Sequence, residues 1–266
     1  MRILLICGDH PRHRFMLEPV KKKFNQITCI MMKRESLKNG LPTIVNNPKE
    51  KKLLFKHFNL RYLKEKKVFG TSTVENIFLS KNLIKINKNQ LNSPIVLEIL
   101  KKKFDACFVM GAGLFSRKTI KKLPKLTINI HLGLSPWYRG SATLFWPSYN
   151  LEPWKTGVTF HRIDNNIDSG PILHQSVPKL KKNIGVVDLS ILAIIKAQKD
   201  FSKILNALKK NKKFIYKKQK HTGKTYFSTS FRACHLKVIY ELFNDKVVNY
   251  FLNNKKKNKI NLIRYV

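Results

Sequence analysis

The stretch Thr127-Ile128-Asn129-Ile130-His131 decides the fold prediction. It follows a lysine-rich segment and alternates β-branched residues with two polar side chains, which is typical of a buried strand that ends at a cleft. Residues two apart in an extended strand point to the same side. We therefore expect Asn129 and His131 to face one cleft together, with Ile128 and Ile130 turned into the core.

Three further segments complete this unit. Pro136-Trp137-Tyr138-Arg139-Gly140 is a turn-rich loop, and Gly157-Val158-Thr159-Phe160-His161 has the composition of a returning strand. A polar loop then runs from Ile163 to Gly170 and contains Asp168-Ser169-Gly170. Asp168 therefore lies in a polar loop beside Gly170.

These segments resemble the folate-dependent formyltransferases. That family shares Asn-x-His, a loop with Pro and Arg-Gly, a Gly-Val-Thr-x-His-x-x-Asp strand and loop, and Asp-x-Gly. Here the pattern is found at Asn129–His131, Pro136–Gly140, Gly157–Asp164 and Asp168–Gly170. Several separated pieces in one order are more specific than any single motif. The resemblance implies a formyltransferase fold, and it implies transfer of a formyl group from 10-formyltetrahydrofolate to a primary amine.

Such a transfer needs donors for a developing oxyanion and an acceptor for the amine proton. The resemblance implies that Asn129 and His131 are the donors and that Asp168 takes the proton and orients the imidazole. Taken singly, Asn129 would be a strand-end hydrogen bonder, His131 a core histidine and Asp168 a turn residue. Their joint occurrence within the pattern favours the catalytic interpretation.

The first segment also predicts a ligand-binding edge. Arg2–Cys7 is a short apolar run, a polar loop follows, and helical spacing begins at Phe15, so the chain opens with strand, loop and helix. Open α/β sheets bind ligands at the carboxyl ends of their strands. Arg12 and His13 are therefore candidates for binding a phosphate of the acceptor, the alternative being a solvated basic first turn.

A second glycine-containing loop follows the apolar run Asp105–Met110. Glycine allows close approach of the backbone to a flat ligand. In the resembled family this loop lines the folate pocket, which makes the following residues candidates for folate binding, together with Asp164 in the later loop: Met110, Gly111, Ala112, Gly113 and Leu114. A dinucleotide turn is the alternative, weakened by the missing third glycine. Arg139 either holds its loop or binds the acceptor's phosphate, and we interpret His161 as structural.

The remaining periodicity predicts an α/β protein with a mostly parallel, Rossmann-like sheet flanked by helices. Further strands are expected at 27–32 and 83–86, helix with loops within 33–70, and helices at 95–104, 118–122 and 185–208. We expect residues 1–212 to form the catalytic domain. Residues 213–266 would form a small appendage, the C-terminal extension. It would contain a turn between strands at 219–226, a helix at 233–252 and a frayed basic tail.

The charge is unusual, with 53 Lys and Arg against 15 Asp and Glu and a net charge of +38. Such a charge attracts phosphates and nucleic acid. However, lysine, asparagine and isoleucine are all abundant, which biased coding composition explains more simply, and no nucleic-acid motif is present. The four cysteines are scattered and no short metal-ligand spacing occurs. We expect no metal, no membrane span, a cytoplasmic location and an undetermined oligomeric state.

Two departures from the family pattern bear on the acceptor. Gly133 occupies the position where the family commonly has serine, and only about 50 residues follow the catalytic unit, where tRNA-formylating enzymes carry a β-barrel domain. The expected acceptor is a small phosphorylated amine, first a nucleotide-linked amino sugar and second glycinamide ribonucleotide. Methionyl-tRNA is possible but not favoured. A binding protein that keeps the fold without turnover is the alternative from another functional class.

Overall fold

The computed structural model describes residues 1–33, 45, 47–78, 80–220, 223–254 and 260–266. The strands are β1 (Arg2–Gly8), β2 (Gln26–Met32), β3 (Leu83–Ile86), β4 (Ala106–Met110), β5 (Thr127–His131), β6 (Tyr138–Gly140), β7 (Val158–His161), β8 (Ile172–Ser176) and β9 (Lys224–Tyr226). The helices are α1 (Pro11–Lys23), α2 (Pro48–Phe69), α3 (Pro94–Lys101), α4 (Arg117–Lys122), α5 (Trp146–Tyr149), α6 (Val186–Lys209), α7 (Ala233–Lys237) and α8 (Val247–Asn253).

The central sheet has the strand order β3-β2-β1-β4-β5-β7-β8. Its first five strands are parallel, whereas β7 and β8 are antiparallel to their neighbours. The parallel strands are continuous apolar runs, as expected for strands that are covered on both faces. The mostly parallel α/β sheet predicted from the sequence is thereby confirmed, and β5 lies where the parallel part meets the antiparallel part.

Two apolar clusters cover the two faces of the sheet. On one face α1 and α6 pack together, and Phe201 of α6 meets Phe108 of β4 edge to face with ring centroids 5.0 Å apart. On the other face Leu4 and Ile6 of β1 belong to a smaller cluster with residues of α3. Ile128 and Ile130 are fully buried, as the alternation along β5 predicted. This packing fixes the strand that carries Asn129 and His131.

Two helix predictions needed adjustment. The helix expected at 95–104 begins at Pro94 and ends at Lys101, because Lys102 becomes extended and its N–H bonds the carbonyl of Ile99. Helix α2 begins at Pro48 after Asn47, whose side chain accepts from the N–H groups of Lys49 and Glu50. Residues 34–44 of the segment predicted as helix with loops lie outside the described residues.

The turn between strands predicted at 219–226 would pair its two flanking segments as a hairpin, and this pairing is wrong for the residues that the structure describes. Strand β9 pairs in parallel with β6, while Lys217 forms a bridge with Ile172 at the edge of β8. The segment before the turn therefore bonds to β8 and the segment after it bonds to β6. Both strands offer backbone groups that need a hydrogen-bond partner. Residues 221–222 between them lie outside the described part.

The single helix predicted at 233–252 is broken. Helix α7 runs into a π-helical turn at Val238–Leu242, and left-handed residues at Asn244 and Asp245 separate it from α8. The break places the Asp245 carboxylate at the start of α6, where it accepts from the Val186 N–H. The predicted frayed tail at 255–259 is not described, whereas residues 260–266 lie against β8. Within the described helices, none has the length and apolarity that crossing a membrane requires.

Candidate active site

The structure brings Asn129, His131 and Asp168 together. The Asn129 amide nitrogen donates to Asp168 Oδ1 at 3.1 Å, and His131 Nδ1 lies 3.2 Å from Asp168 Oδ2. Strand β5 supplies the first two side chains from one side, and the loop after β7 supplies the third. The expected convergence of an amide, an imidazole and a carboxylate therefore occurs, and their catalytic roles stay predictions.

The loop that carries Asp168 is held by backbone bonds. Asp168 has a left-handed φ of 47°, which is uncommon for a residue with a side chain. Its Oδ2 accepts from the Gly140 N–H at 3.0 Å, and its carbonyl accepts from the Ser135 hydroxyl at 3.2 Å. Gly170 fits because any Cβ there would overlap the carbonyl of Arg162. These contacts hold the Asp168 carboxylate within reach of β5.

The protonation of the pair follows from its partners. The His131 Nε2–H donates to the carbonyl of Tyr138 at 2.9 Å, because a carbonyl oxygen can only accept. Burial lowers the pKa of His131, although the Asp168 charge opposes that change. Burial by itself would raise the pKa of Asp168, but His131, His161 and the Gly140 N–H hold it well below its usual range. Because the Nε2–H is bonded to Tyr138, Nδ1 is the His131 atom that faces the Asp168 carboxylate, and the pair can hold a proton between Nδ1 and Oδ2.

His161 completes the cluster from β7, where it is the register partner of Asn129. Its Nδ1–H donates to the carbonyl of Arg162 at 2.7 Å, which leaves Nε2 to accept from the Asn129 amide at 3.1 Å. The Asn129 NH₂ group therefore points at His161 and Asp168, and its Oδ1 is turned the other way. Donation from Asn129 to a bound formyl oxygen requires exchange of one of these bonds.

A cavity of about 470 Å³ opens beside the three residues. Arg12 and His13 of α1 line it, as expected for the phosphate candidates. Two further charged residues come from α2, where Arg61 Nε lies 2.8 Å from a Glu65 carboxylate oxygen and Arg12 lies 3.5 Å from the same oxygen. One end of the cavity is therefore lined by cations grouped around a single carboxylate.

Apolar side chains line another part of this cavity. They come from α2, the segment before α5, the start of α6 and the C-terminal extension: Phe58, Leu144, Phe145, Val186, Val187 and Phe231. Sequence reasoning missed the residues of α2 and Phe231. The spacing of Phe58, Arg61 and Glu65 at three and four residues could have placed them on one helix face, whereas the position of Phe231 depends on packing between distant segments.

The folate candidates are distributed unevenly. Gly111 and Ala112 border both this cavity and a neighbouring one of about 410 Å³, which Gly113 also lines. The Met110 side chain is fully buried in the core, and Leu114 is 66% exposed. Of the six candidates, Gly111 and Ala112 are thus best placed between the two cavities.

Asp164 and Arg139 have local structural roles. The Asp164 Oδ1 accepts from the Asn166 N–H at 3.1 Å and from the Ser169 hydroxyl at 2.7 Å, which braces the loop ahead of Asp168. The Arg139 Nε–H donates to the Pro136 carbonyl at 3.3 Å, and Arg139 lines neither of the two cavities. The contact supports the interpretation that Arg139 holds its own loop.

Gly133 explains one departure from the family pattern. A Cβ at this position would overlap the Nε2 side of the His131 ring and would approach Thr143 to 2.6 Å. Thr143 is fixed by donation of its hydroxyl to the Leu132 carbonyl at 2.6 Å. The site therefore has no room for a serine here without displacement of a neighbour. Among the described residues, no group of three or more His, Cys, Asp or Glu could hold a metal ion.

Residues 62–191 match the family described as Formyl transferase. This segment of the chain is similar to the formyltransferase family. It includes β5, the loop of β6, β7 and the loop with Asp168, so the family match and the geometry concern the same residues.

Among its sequence relatives are two methionyl-tRNA formyltransferases. The protein from Clostridioides difficile is 37% identical over 86 residues, which cover 32% of this chain and 28% of that protein. The protein from Thermodesulfovibrio yellowstonii is 30% identical over 158 residues, which cover 59% and 46%. This chain thus spans less than half the length of these curated relatives.

A solved structure of similar fold is the N-formyltransferase from Helicobacter canadensis in complex with folinic acid and dTDP-3-aminofucose. The TM-score is 0.57 at 20% identity, and the match covers 87% of this chain and 73% of that one. At 20% identity the likeness concerns the fold. It extends well beyond residues 62–191 of this chain.

Proposed function

We propose that this protein transfers the formyl group of 10-formyltetrahydrofolate to a primary amine on a small phosphorylated acceptor, with a nucleotide-linked amino sugar as the first candidate. One observation carries the proposal: an ionised carboxylate, a buried imidazole and an amide meet at the end of β5 and open onto one cavity. The similarity of residues 62–191 to the formyltransferase family supports formyl transfer as the chemistry of this cluster.

The folate would supply an activated formyl carbon, and the backbone of Gly111–Ala112 is the surface best placed to meet its flat ring. Gly111 has a φ of 64°, and a Cβ there would collide with the His13 ring, so this backbone faces the cavities without a side chain. The residues present fit a planar ligand at this edge of the sheet.

The chain's own residues manage the proton. As the amine nitrogen bonds to the formyl carbon it must lose a proton, and the His131 Nδ1–Asp168 Oδ2 pair can receive it. The proton returns to the folate nitrogen as its bond to the formyl carbon breaks, so the sequence is balanced without another reactant. The Asn129 amide donates to the oxygen that gains charge in between, and the protonated His131, whose two ring nitrogens face Tyr138 and Asp168, stabilises that oxygen through its positive charge.

The acceptor class is inferred from the cavity lining. Arg12 and Arg61 at one end suit a phosphate, which would compete with Glu65 for the same guanidinium groups. Phe58, Phe145 and Phe231 suit the ring of a base or the less polar face of a deoxy sugar. The Helicobacter canadensis protein of similar fold was solved in complex with dTDP-3-aminofucose, a nucleotide-linked amino sugar.

Methionyl-tRNA is a further candidate acceptor beside glycinamide ribonucleotide, because the sequence relatives described above are methionyl-tRNA formyltransferases. Release of tetrahydrofolate from 10-formyltetrahydrofolate separates the candidates. The acceptor panel contains nucleotide-linked amino sugars, glycinamide ribonucleotide and charged initiator tRNA. Release with an amino sugar supports the proposal, and release with tRNA alone overturns the acceptor assignment. Folate binding without release for any acceptor points to a binding protein.

A further inference from the structure

The loop that carries Asp168 is bonded to a side chain from outside the segment that matches the family. The Gln219 Nε2 donates to the carbonyl of Asp168 and to the carbonyl of Gly170, both at 2.8 Å. Gln219 belongs to the C-terminal extension, 28 residues after the end of the match at residue 191. A single amide group thus connects the extension to the backbone on both sides of Ser169.

Chemistry fixes the orientation of this amide. Both partners are carbonyl oxygens, which only accept, so the nitrogen and not the oxygen of Gln219 must face them. The Oε1 of Gln219 is buried and has no hydrogen-bond partner among the described residues. The Gln219 amide therefore contributes to the loop only as a hydrogen-bond donor, through Nε2.

The loop needs this donation because of its conformation. Asp168 has a left-handed φ in a loop outside the strands, and its carbonyl accepts hydrogen bonds from side chains. The Ser135 hydroxyl and Gln219 do so from two directions. The carboxylate of the same residue must meanwhile reach Asn129 and His131, and small rotations of the loop would break these contacts.

The extension also supports Gly140, whose N–H donates to the Asp168 carboxylate. Gly140 gives its N–H to Asp168 Oδ2 and lies on β6, which is paired with β9. The Ser141 N–H donates to the carbonyl of Tyr226 at 2.7 Å, and Gly140 has no room for a Cβ against that carbonyl. Both partners of the bond between Gly140 and Asp168 are thus held by the extension, Asp168 by Gln219 and Gly140 by β9.

We propose that Gln219 is a positioning residue for Asp168 and that the C-terminal extension thereby completes the active site. The inference rests on the proposed function and adds to it a residue from beyond the family match. It assigns Gln219 no contact with substrate: its effect passes through the position of the Asp168 loop. The expected consequence of its loss is a slower chemical step with little change in substrate binding.

The test uses three variants of the full chain. Gln219→Glu keeps the shape and replaces the donor by an acceptor, and Gln219→Met keeps the length without a donor. Gln198→Glu is the matched control, because Gln198 on α6 likewise donates from Nε2 to a backbone carbonyl, that of Phe15 at 3.1 Å, which lies outside the loop that carries Asp168. Misplacement of a catalytic group by about 1 Å can cost about 100-fold in rate. We expect kcat to fall by roughly 10- to 100-fold in Gln219→Glu, and less in Gln219→Met, with each KM within about threefold of the parent value.

The pH profile distinguishes positioning from packing. A carboxylate at position 219 would repel the two carbonyls, whereas a protonated carboxyl could donate to one of them. The ratio of kcat for Gln219→Glu to kcat for the parent should therefore rise as the pH falls, and the ratio for Gln219→Met should stay flat. The titration of a carboxyl at position 219 could be influenced by Asp168 in the loop that it contacts. It could also be influenced by the charged residues that line the same surface groove as Gln219: Glu152, Lys155, Lys217, Lys218 and Lys220.

A measurement without turnover keeps the test independent of the proposed function. Hydrogen exchange in the peptide that covers 163–171 should be faster in both Gln219 variants and unchanged in Gln198→Glu. Unchanged exchange, or a kcat for Gln219→Glu equal to that of the parent at every pH, overturns the inference. A parent that releases no tetrahydrofolate with any acceptor overturns the proposed function instead, and the exchange result still decides whether Gln219 holds the loop.

Discussion

The active site is held in two different ways on its two sides. Asn129 and His131 lie on β5, which is bonded to β4 on one side and β7 on the other, so the sheet fixes their backbone. Asp168 lies on a loop with a left-handed φ, and single bonds from Gly140, Ser135 and Gln219 hold it. Asn129 and His131 are held rigidly because β5 belongs to a continuous hydrogen-bonded ladder, whereas the Asp168 carboxylate depends on a few separate contacts. The two sides should therefore respond differently to mutation.

The largest expected effect is removal of a catalytic side chain from either side. We expect Asn129→Ala, His131→Ala and Asp168→Ala each to lower kcat by about 100-fold or more, since each group is needed for one charge or proton in the reaction. Steady-state kinetics with circular dichroism as a folding control checks this. Near-parent rates in all three variants would show that the chemistry takes place elsewhere.

The strand side can be disturbed through Gly133. Gly133→Ser introduces the residue common in the family, and its side chain would press on His131 and Thr143. We expect kcat to fall by about tenfold or more, because displacement of a catalytic group by a fraction of an ångström is costly. Thr156→Ser, a small change at another buried position, serves as the control. Full activity of Gly133→Ser would mean that the ring of His131 has more freedom than its contacts indicate.

The pH dependence tests the pair that joins the two sides. Burial lowers the pKa of His131 below its ordinary value of 6.5, so the neutral form that accepts the proton persists to lower pH. We expect kcat to be constant through neutral pH and to fall only on the acid side of 6.5. Because the Asp168 charge raises the pKa of His131, Asp168→Asn should move any residual acid limb to still lower pH. An acid limb above 6.5 would contradict this assignment.

The smallest effect is expected away from both sides, at the cationic end of the cavity. Arg61→Gln removes one guanidinium near the proposed phosphate position, and we expect KM for the acceptor to rise by about three- to tenfold with kcat nearly unchanged. Lys67→Gln removes one charge from an exposed position of the same helix and should change neither constant. Equal effects of the two variants would indicate a general influence of the net charge.

The strand side was predictable from the sequence and the loop side only in part. Alternation along Thr127–His131 is a local signal, and the structure confirms both the strand and the burial of Ile128 and Ile130. The approach of Asp168 was expected from the resemblance to the family and from the need for a carboxylate beside the imidazole. Its supports were not, because the bonds from Gln219 and the pairing of β9 with β6 join segments far apart in the chain.

The error at 219–226 has the same physical origin. The residues have turn composition, and local rules pair the two flanking segments with each other. The catalytic unit instead offers them the edge of β8 and the strand at Tyr138–Gly140, and these long-range partners prevail. The division of the chain at residue 212 stays a prediction, although the contacts just described show that the two parts share one site.

Residues 260–266 have a consequence for the behaviour of the protein in solution. The Gln175 N–H donates to the carbonyl of Ile263, and the Tyr265 N–H bonds His174 Nδ1, so this segment lies along the outer side of β8. An uncovered outer strand can template the addition of a strand from another molecule. A protein with the segment detached would present Gln175 and its neighbours to other chains, and self-association at high concentration would be the visible result.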